Sequence, residues 1–224
     1  SSPQILRLEQ DYSGRSLLPT DPVVGFIDHL IEDYGDEWVT KIMYHYRWHH
    51  LYVDAIAKAG NMLPLMSDNQ MNVEQHADIK DFITTRQMNR TALVGSTDNN
   101  RDIIENSFVR LLRTLETHLT ENQFLLGNRP GRGDFGLFGQ FSQLFFWEPD
   151  SSLIAARRSP RSVIWAYQID DLSSLEIGET DGWFTRDKLP ESLLDLLSEI
   201  GGTYAPFLIA NNQAIEAGNS ELSC

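Results

Sequence analysis

The chain has 224 residues with 41% hydrophobic content, enough to bury a sizeable core, and carries a formal charge of −14 at a pI near 4.7. Such a charge repels polyanions, which argues against nucleic acid and anionic membrane surfaces as partners. The one cysteine, Cys224, is the last residue, so an internal disulfide and a cysteine metal cluster are excluded, as expected of a reducing, cytoplasmic setting.

Residues 1 to 10, SSPQILRLEQ, read as a short helix with Ser at its start, Pro in the first turn, and Ile5, Leu6 and Leu8 apolar. Residues 11 to 22 hold two prolines, Ser-Gly and Asp-Pro, the chemistry of a turn. Asp21 followed by Pro22 starts a helix with an apolar stripe at Phe26, Ile27, Leu30 and Ile31. Gly35 and Asp36 are expected to break or restart it before a second stretch through Trp38, Ile42, Met43 and Tyr46.

The segment from Glu32 to His50 concentrates chemistry: Glu32, Asp33, Asp36 and Glu37 precede Tyr44, His45, Tyr46, Arg47, Trp48, His49 and His50. One reading is metal binding, because His45 and His49 are four apart and share a helix face. There is no HExxH motif and no cysteine to support it, and no metal is expected. The other reading is a structural band in which the aromatics pack, Arg47 pairs with the acidic run, and the histidines cap or face solvent.

From Leu51 to Gly95 the pattern is helical but interrupted. Asn61, Pro64 and the Ser67-Asp68-Asn69 group are expected to break it, and Met62, Met66 and Met71 read as packing material. The loop from Gly95 ends at Asn100, a good helix cap. Ile103, Ile104, Phe108, Leu111, Leu112, Leu115 and Leu119 then recur at helical spacing, with Arg110, Arg113 and Glu116 outward.

Residues 124 to 147 organise the rest. A Gly/Pro-rich loop runs into a helix whose Phe135, Phe138, Phe141, Leu144 and Phe145 lie on more than one face, the mark of a helix in the middle of a bundle. Asp134, three residues after Gly131, is placed to accept from unpaired first-turn N–H groups. Gly136 and Gly139 would let a neighbouring helix approach closely. Beyond Trp147, Pro149 and Pro160 open two more helices. Arg157, Arg158 and Arg161 form a local basic cluster, read as a solvated face. Leu189 to Ile200 reads as an amphipathic helix closed by Gly201-Gly202, with a last one through Tyr204, Phe207, Leu208 and Ile215. No run approaches the roughly 20 apolar residues that span a bilayer, and no signal peptide opens the chain, so no membrane partner is expected. The fold class that follows is all-α.

The stretch from Phe124 to Leu144, with Phe-Leu-Leu-Gly-Asn-Arg-Pro and then Gly-Arg-Gly-Asp-Phe-Gly-Leu-Phe-Gly-Gln, resembles the helix-start motif of the C-terminal domain of soluble glutathione transferases. In that family a Ser or Thr stands three residues before the Asp. Here Gly131 takes that place, and the Asp134 half of the capping box remains. The resemblance implies a glutathione-transferase C-terminal-like helical bundle over residues 21–224. Residues 1–20 would be the last helix and linker of a thioredoxin-like glutathione-binding domain. Ser at position 1 and the ending NNQAIEAGNSELSC accordingly read as cuts inside a longer protein.

The same resemblance implies that Ser1, with Ser2 as the alternative, holds the γ-glutamyl carboxylate of glutathione at a helix N-terminus, although serines there also serve as plain caps. Tyr44, Arg47 and Trp48 would line one wall of the cleft for a small electrophile, as aromatic surface and guanidinium. The implied activity is transfer of glutathione, a substrate, to that electrophile, in a protein that is commonly a homodimer. The residue that activates the thiol belongs to the absent domain and has no counterpart here. A non-catalytic helical interaction module is the other class of function compatible with this fold.

Overall fold

The computed structural model describes residues 2–178 and 182–219, and among them it is all-helical, with only isolated bridge pairings around Phe124, Gly127 and Trp183. Helix α1 (Ser2–Asp11) precedes α2 (Pro22–Tyr34), which Asp21 caps by accepting from the Val23 N–H at 2.8 Å. Gly35 does not break this helix. The chain passes through a π-helical turn, Gly35–Val39, directly into α3 (Thr40–Trp48).

Helices α4 (Val53–Ser67) and α5 (Val73–Met88) pack on each other as a hairpin. Contrary to the sequence pattern, α4 continues through Asn61 and Pro64. Asn61 donates to the Ala57 carbonyl at 2.7 Å, and the helix ends only where the Ser67 hydroxyl donates to the Pro64 carbonyl. Met62 and Met66 are exposed rather than packed, because α5 covers a different side of α4 and buries none of its own residues.

Helix α6 (Arg101–His118) begins after Asn100, whose side chain turns back to the Gly95 carbonyl instead of capping. Helix α7 (Arg132–Phe146) lies at the centre, flanked by α8 (Pro149–Arg158) and α9 (Pro160–Asp170). Leu137, Phe141, Leu144 and Phe145 of α7 are buried against α2, α3 and α9. Of Gly136 and Gly139, only Gly136 serves close approach: a Cβ there would sit 2.9 Å from Glu32 Cα, whereas a Cβ at Gly139 would meet nothing, and Gly133 at the start of α7 is tight as well, with a Cβ 3.1 Å from Ile31.

The two C-terminal helices expected from the pattern are one, α10 (Glu191–Glu216), which runs through Gly201-Gly202 and Pro206. A helix of 26 residues with mean hydropathy 1.2 over its most apolar 18 residues is long and apolar enough to cross a membrane by length and composition, which the sequence reading did not anticipate. Here its Leu193, Leu196, Ile200 and Tyr204 enter the core beside α6 and α2. Arg110 of α6 pairs with Glu199 at 2.7 Å, and the Tyr204 hydroxyl donates to Asp33 at 2.6 Å.

Candidate functional site

The loop before α7 is built around Asp134. Its Oδ2 accepts the Gly131 N–H at 2.9 Å and its Oδ1 accepts the Leu125 N–H at 3.0 Å, so one buried carboxylate closes both the helix start and the preceding turn. Burial pushes its carboxyl up to about 7, against the pull of these two donors. Gly127 stands at φ +129° beneath the Gly182 carbonyl, in backbone that a side chain would strain. Arg129, which the sequence did not single out, is fully buried. It donates to the Gly178 carbonyl at 3.0 Å and the Ser16 carbonyl at 2.6 Å and lies over the Trp183 ring, so it ties the linker after α1 to this loop.

The start of α1 meets the α2–α7 seam. Ser2 donates its hydroxyl to Glu32, a buried acid of α2 that also faces His29 and Arg132. Ser1 lies outside the described residues. One turn earlier on α2, Asp28 accepts the Gly133 N–H at 2.9 Å and the Arg132 Nε–H at 3.1 Å. Burial raises the Asp28 carboxyl to about 6, with the Gly133 N–H and Arg132 opposing. Arg132 completes its contacts at the Gly25 carbonyl. The result is a partly covered polar seam in which a helix N-terminus, a hydroxyl, two carboxylates and a guanidinium converge.

The three residues expected to wall a cleft are not brought together on one open surface. Tyr44 is half-buried and donates its hydroxyl to the Gln87 carbonyl at 2.8 Å, which fastens α3 to α5. Arg47 and Trp48 are buried. Arg47 does not pair with the acidic run that precedes it: it reaches Glu148 at the start of α8 and Gln143 of α7, with the Trp147 ring 4.9 Å away. Burial raises the Glu148 carboxyl and Arg47 holds it down. Helix α3 turns Arg47 inward to α7 and α8, while Tyr44 looks toward the α4–α5 hairpin.

The His45 and His49 rings lie side by side, 4.6 Å between centroids, but bond to different partners. Both nitrogens of His45 are bonded within the fold, Nδ1 to the Ser96 hydroxyl at 2.8 Å and Nε2 to Glu105 at 3.3 Å. His49 instead faces Asp98 beside His50, and the donor atoms of His49, His50 and Asp98 all lie within 4.8 Å of one another. Among the described residues this is the one grouping of such donors close enough to hold a metal ion.

No protein-family model matches the sequence, and neither curated proteins nor solved structures compared with it give a match.

Proposed function

We infer that the chain is the helical domain of a glutathione transferase-like protein, acting with a thioredoxin-like domain that presents the glutathione thiol. The observation that carries this reading is the Asp134 lock, with both carboxylate oxygens committed to the Gly131 and Leu125 N–H groups. That lock is the feature on which the sequence resemblance rests. It is supported by α1, whose first residue, Ser2, sits at the α2–α7 seam while Leu6 and Leu8 on the same helix, and Tyr12 just beyond its end, are exposed. A helix with that much bare apolar surface suits one that belongs to a second domain. In the reaction the thiolate sulfur of glutathione would attack an electrophilic carbon, forming a C–S bond as the leaving group departs with its electron pair. Thiol activation would come from the other domain, so transfer is assigned to the whole protein and not to these helices alone.

The test is retention of the natural polypeptide on glutathione-agarose, with elution by free glutathione and turnover of a chromogenic halonitroarene. Ser2→Ala in that polypeptide is expected to weaken retention while circular dichroism stays unchanged. A natural polypeptide that is folded, not retained and inactive overturns the reading.

A second reading, a non-catalytic interaction module, is favoured by the α4–α5 hairpin, where Met66 and Phe82 are 71% and 66% exposed. It expects a homodimer that Phe82→Asp converts to monomer in light scattering, with no glutathione binding at all.

A further inference from the structure

We propose that His49, His50 and Asp98 form a binding site for one first-row divalent transition-metal ion, of which zinc is the natural probe. The Nε2 atoms of His49 and His50 lie 3.3 Å and 3.6 Å from the same Asp98 Oδ1. In a tetrahedral site with metal–ligand bonds of about 2.0–2.1 Å, neighbouring donors stand about 3.3–3.4 Å apart, so the His49 spacing matches an edge of such a tetrahedron and the His50 spacing needs only a small rotation of an exposed side chain to do so. Two imidazoles and a carboxylate are also the donor types that zinc, copper and nickel accept.

The backbone explains how consecutive histidines serve one site. Inside a helix, side chains at i and i+1 point about 100° apart and do not meet. His49 is where α3 ends: it leaves the helix with φ −68° and ψ 136°, an extended conformation. That turn brings the His49 and His50 rings to 4.4 Å between centroids. The carboxylate arrives from the loop between Gly95 and α6. The site lies at the C-terminal end of α3, where the last carbonyls and the helix dipole favour a cation. Glu105 of α6 adds a negative charge nearby, partly offset by Arg101 beside it.

The way these histidines are held separates them from the structural ones. His45 is bonded at both nitrogens, and so is His118, to the Ser192 hydroxyl and the Phe124 carbonyl. His49, only 2% exposed, has its Nδ1 buried with no hydrogen-bond partner, and its Nε2 faces Asp98 alone. Its ring packs at 4.6 Å from that of His45, tilted by 43°, which restricts its orientation before any ion arrives. The His50 and Asp98 side chains are 57% and 74% exposed, so an ion has a path in and a fourth position open to water or an exogenous ligand.

The experiment uses the untagged full chain, stripped with chelator and then titrated with zinc chloride at pH 7.5 by isothermal calorimetry, with bound metal counted by mass spectrometry after dialysis. One zinc per chain is expected, with a rise in the thermal midpoint as zinc is added. His50→Ala and Asp98→Asn change exposed side chains and are expected to leave the circular dichroism spectrum intact while abolishing that stoichiometric site. Cobalt(II) in place of zinc should give the intense visible bands of four-coordinate cobalt in the parent chain and not in the two variants. The proposal is overturned if the parent chain takes up no zinc, or if both folded variants bind it as the parent does, since the ion would then sit elsewhere.

Discussion

A Cβ built on Gly35 would lie 2.8 Å from the carbonyl carbon of Gly136, and one built on Gly136 would lie 2.9 Å from the Cα of Glu32. Backbone therefore meets backbone where the π-helical turn after α2 crosses α7, and no flexible side-chain end is available to move aside. This crossing positions Glu32 under the start of α1 and Asp28 against the α7 N-terminus. The seam that holds Ser2, Glu32 and Arg132 depends on two residues that contribute no side chain.

The first prediction contrasts two glycines of one helix. Gly136→Ala should destabilise the protein by about 1–3 kcal/mol, the range for overpacking a filled interior. Gly139→Ala, where a Cβ meets nothing, should stabilise it by up to about 1 kcal/mol through helix propensity. Urea midpoints measured side by side decide the matter. Equal effects at both positions would contradict a backbone-to-backbone crossing at Gly136.

A second prediction concerns the buried pair that joins α3 to α8. Arg47→Met leaves Glu148, itself fully buried, without its partner and should cost about 3–5 kcal/mol. Adding Glu148→Leu to that variant removes the stranded carboxylate and should recover most of the loss. A double-mutant cycle on chemical unfolding reads both numbers, and a double variant no more stable than Arg47→Met would show that Arg47 acts through packing instead.

The helices and the Asp134 lock were legible because both are local. Apolar spacing in α2, α6 and α7 and the Gly131–Asp134 interval encode them within a few residues. What escaped depends on distance along the chain. Glu148, the partner of Arg47, is 101 positions away, and the acidic run beside Arg47 was the nearer and mistaken choice. Arg129 is an ordinary loop arginine until Ser16 and Gly178 are folded onto it. The helices run on through Gly35, Asn61, Pro64 and Gly201 because the local cost, about 1 kcal/mol or less for Gly or Asn and about 3 kcal/mol for Pro, can be offset by the packing of a continuous helix, which the local pattern does not contain. The pairing of His49 with His50 was hidden too, because the helical interval pointed to His45.

A third prediction uses His118, buried between α6 and α10. Burial lowers its pKa below the ordinary 6.5, and its two nitrogens are already bonded to Ser192 and the Phe124 carbonyl. The unfolded chain takes up a proton near pH 6.5 while the folded chain resists. The stability contributed by the neutral ring is therefore present above pH 6.5 and is lost as pH falls through the folded value, at about 1.4 kcal/mol for each pH unit of depression. His118→Gln should be less stable than the parent at pH 7.5, with the gap narrowing toward pH 5. A gap that stays constant over that range would remove His118 from the acid response.

The last prediction takes Asp134 in the opposite sense. Its folded carboxyl titrates near 7, well above the ordinary 3.8, because burial disfavours the charge more than the Gly131 and Leu125 N–H groups favour it. The folded chain thus holds a proton that the unfolded chain has released. The contribution of this group is fully present below about pH 4, declines as pH rises, and is lost above about pH 7, a span worth of the order of 4 kcal/mol by linkage. Asp134→Asn does not titrate and keeps one carbonyl oxygen for one of the two N–H groups, while its amide nitrogen opposes the other. The variant should be less stable than the parent throughout, but by the largest margin near pH 4 to 5 and by a smaller, constant margin above pH 7.5. Asp134→Ala loses both acceptors and opens a void at a helix start, so it should be the least stable of the three at every pH. Denaturant titrations of the three chains at half-unit intervals from pH 4.5 to 8 provide the comparison. If the margin between parent and Asp134→Asn grows as pH rises, the carboxylate is worth more charged than neutral. The two N–H donors would then outweigh burial at this position.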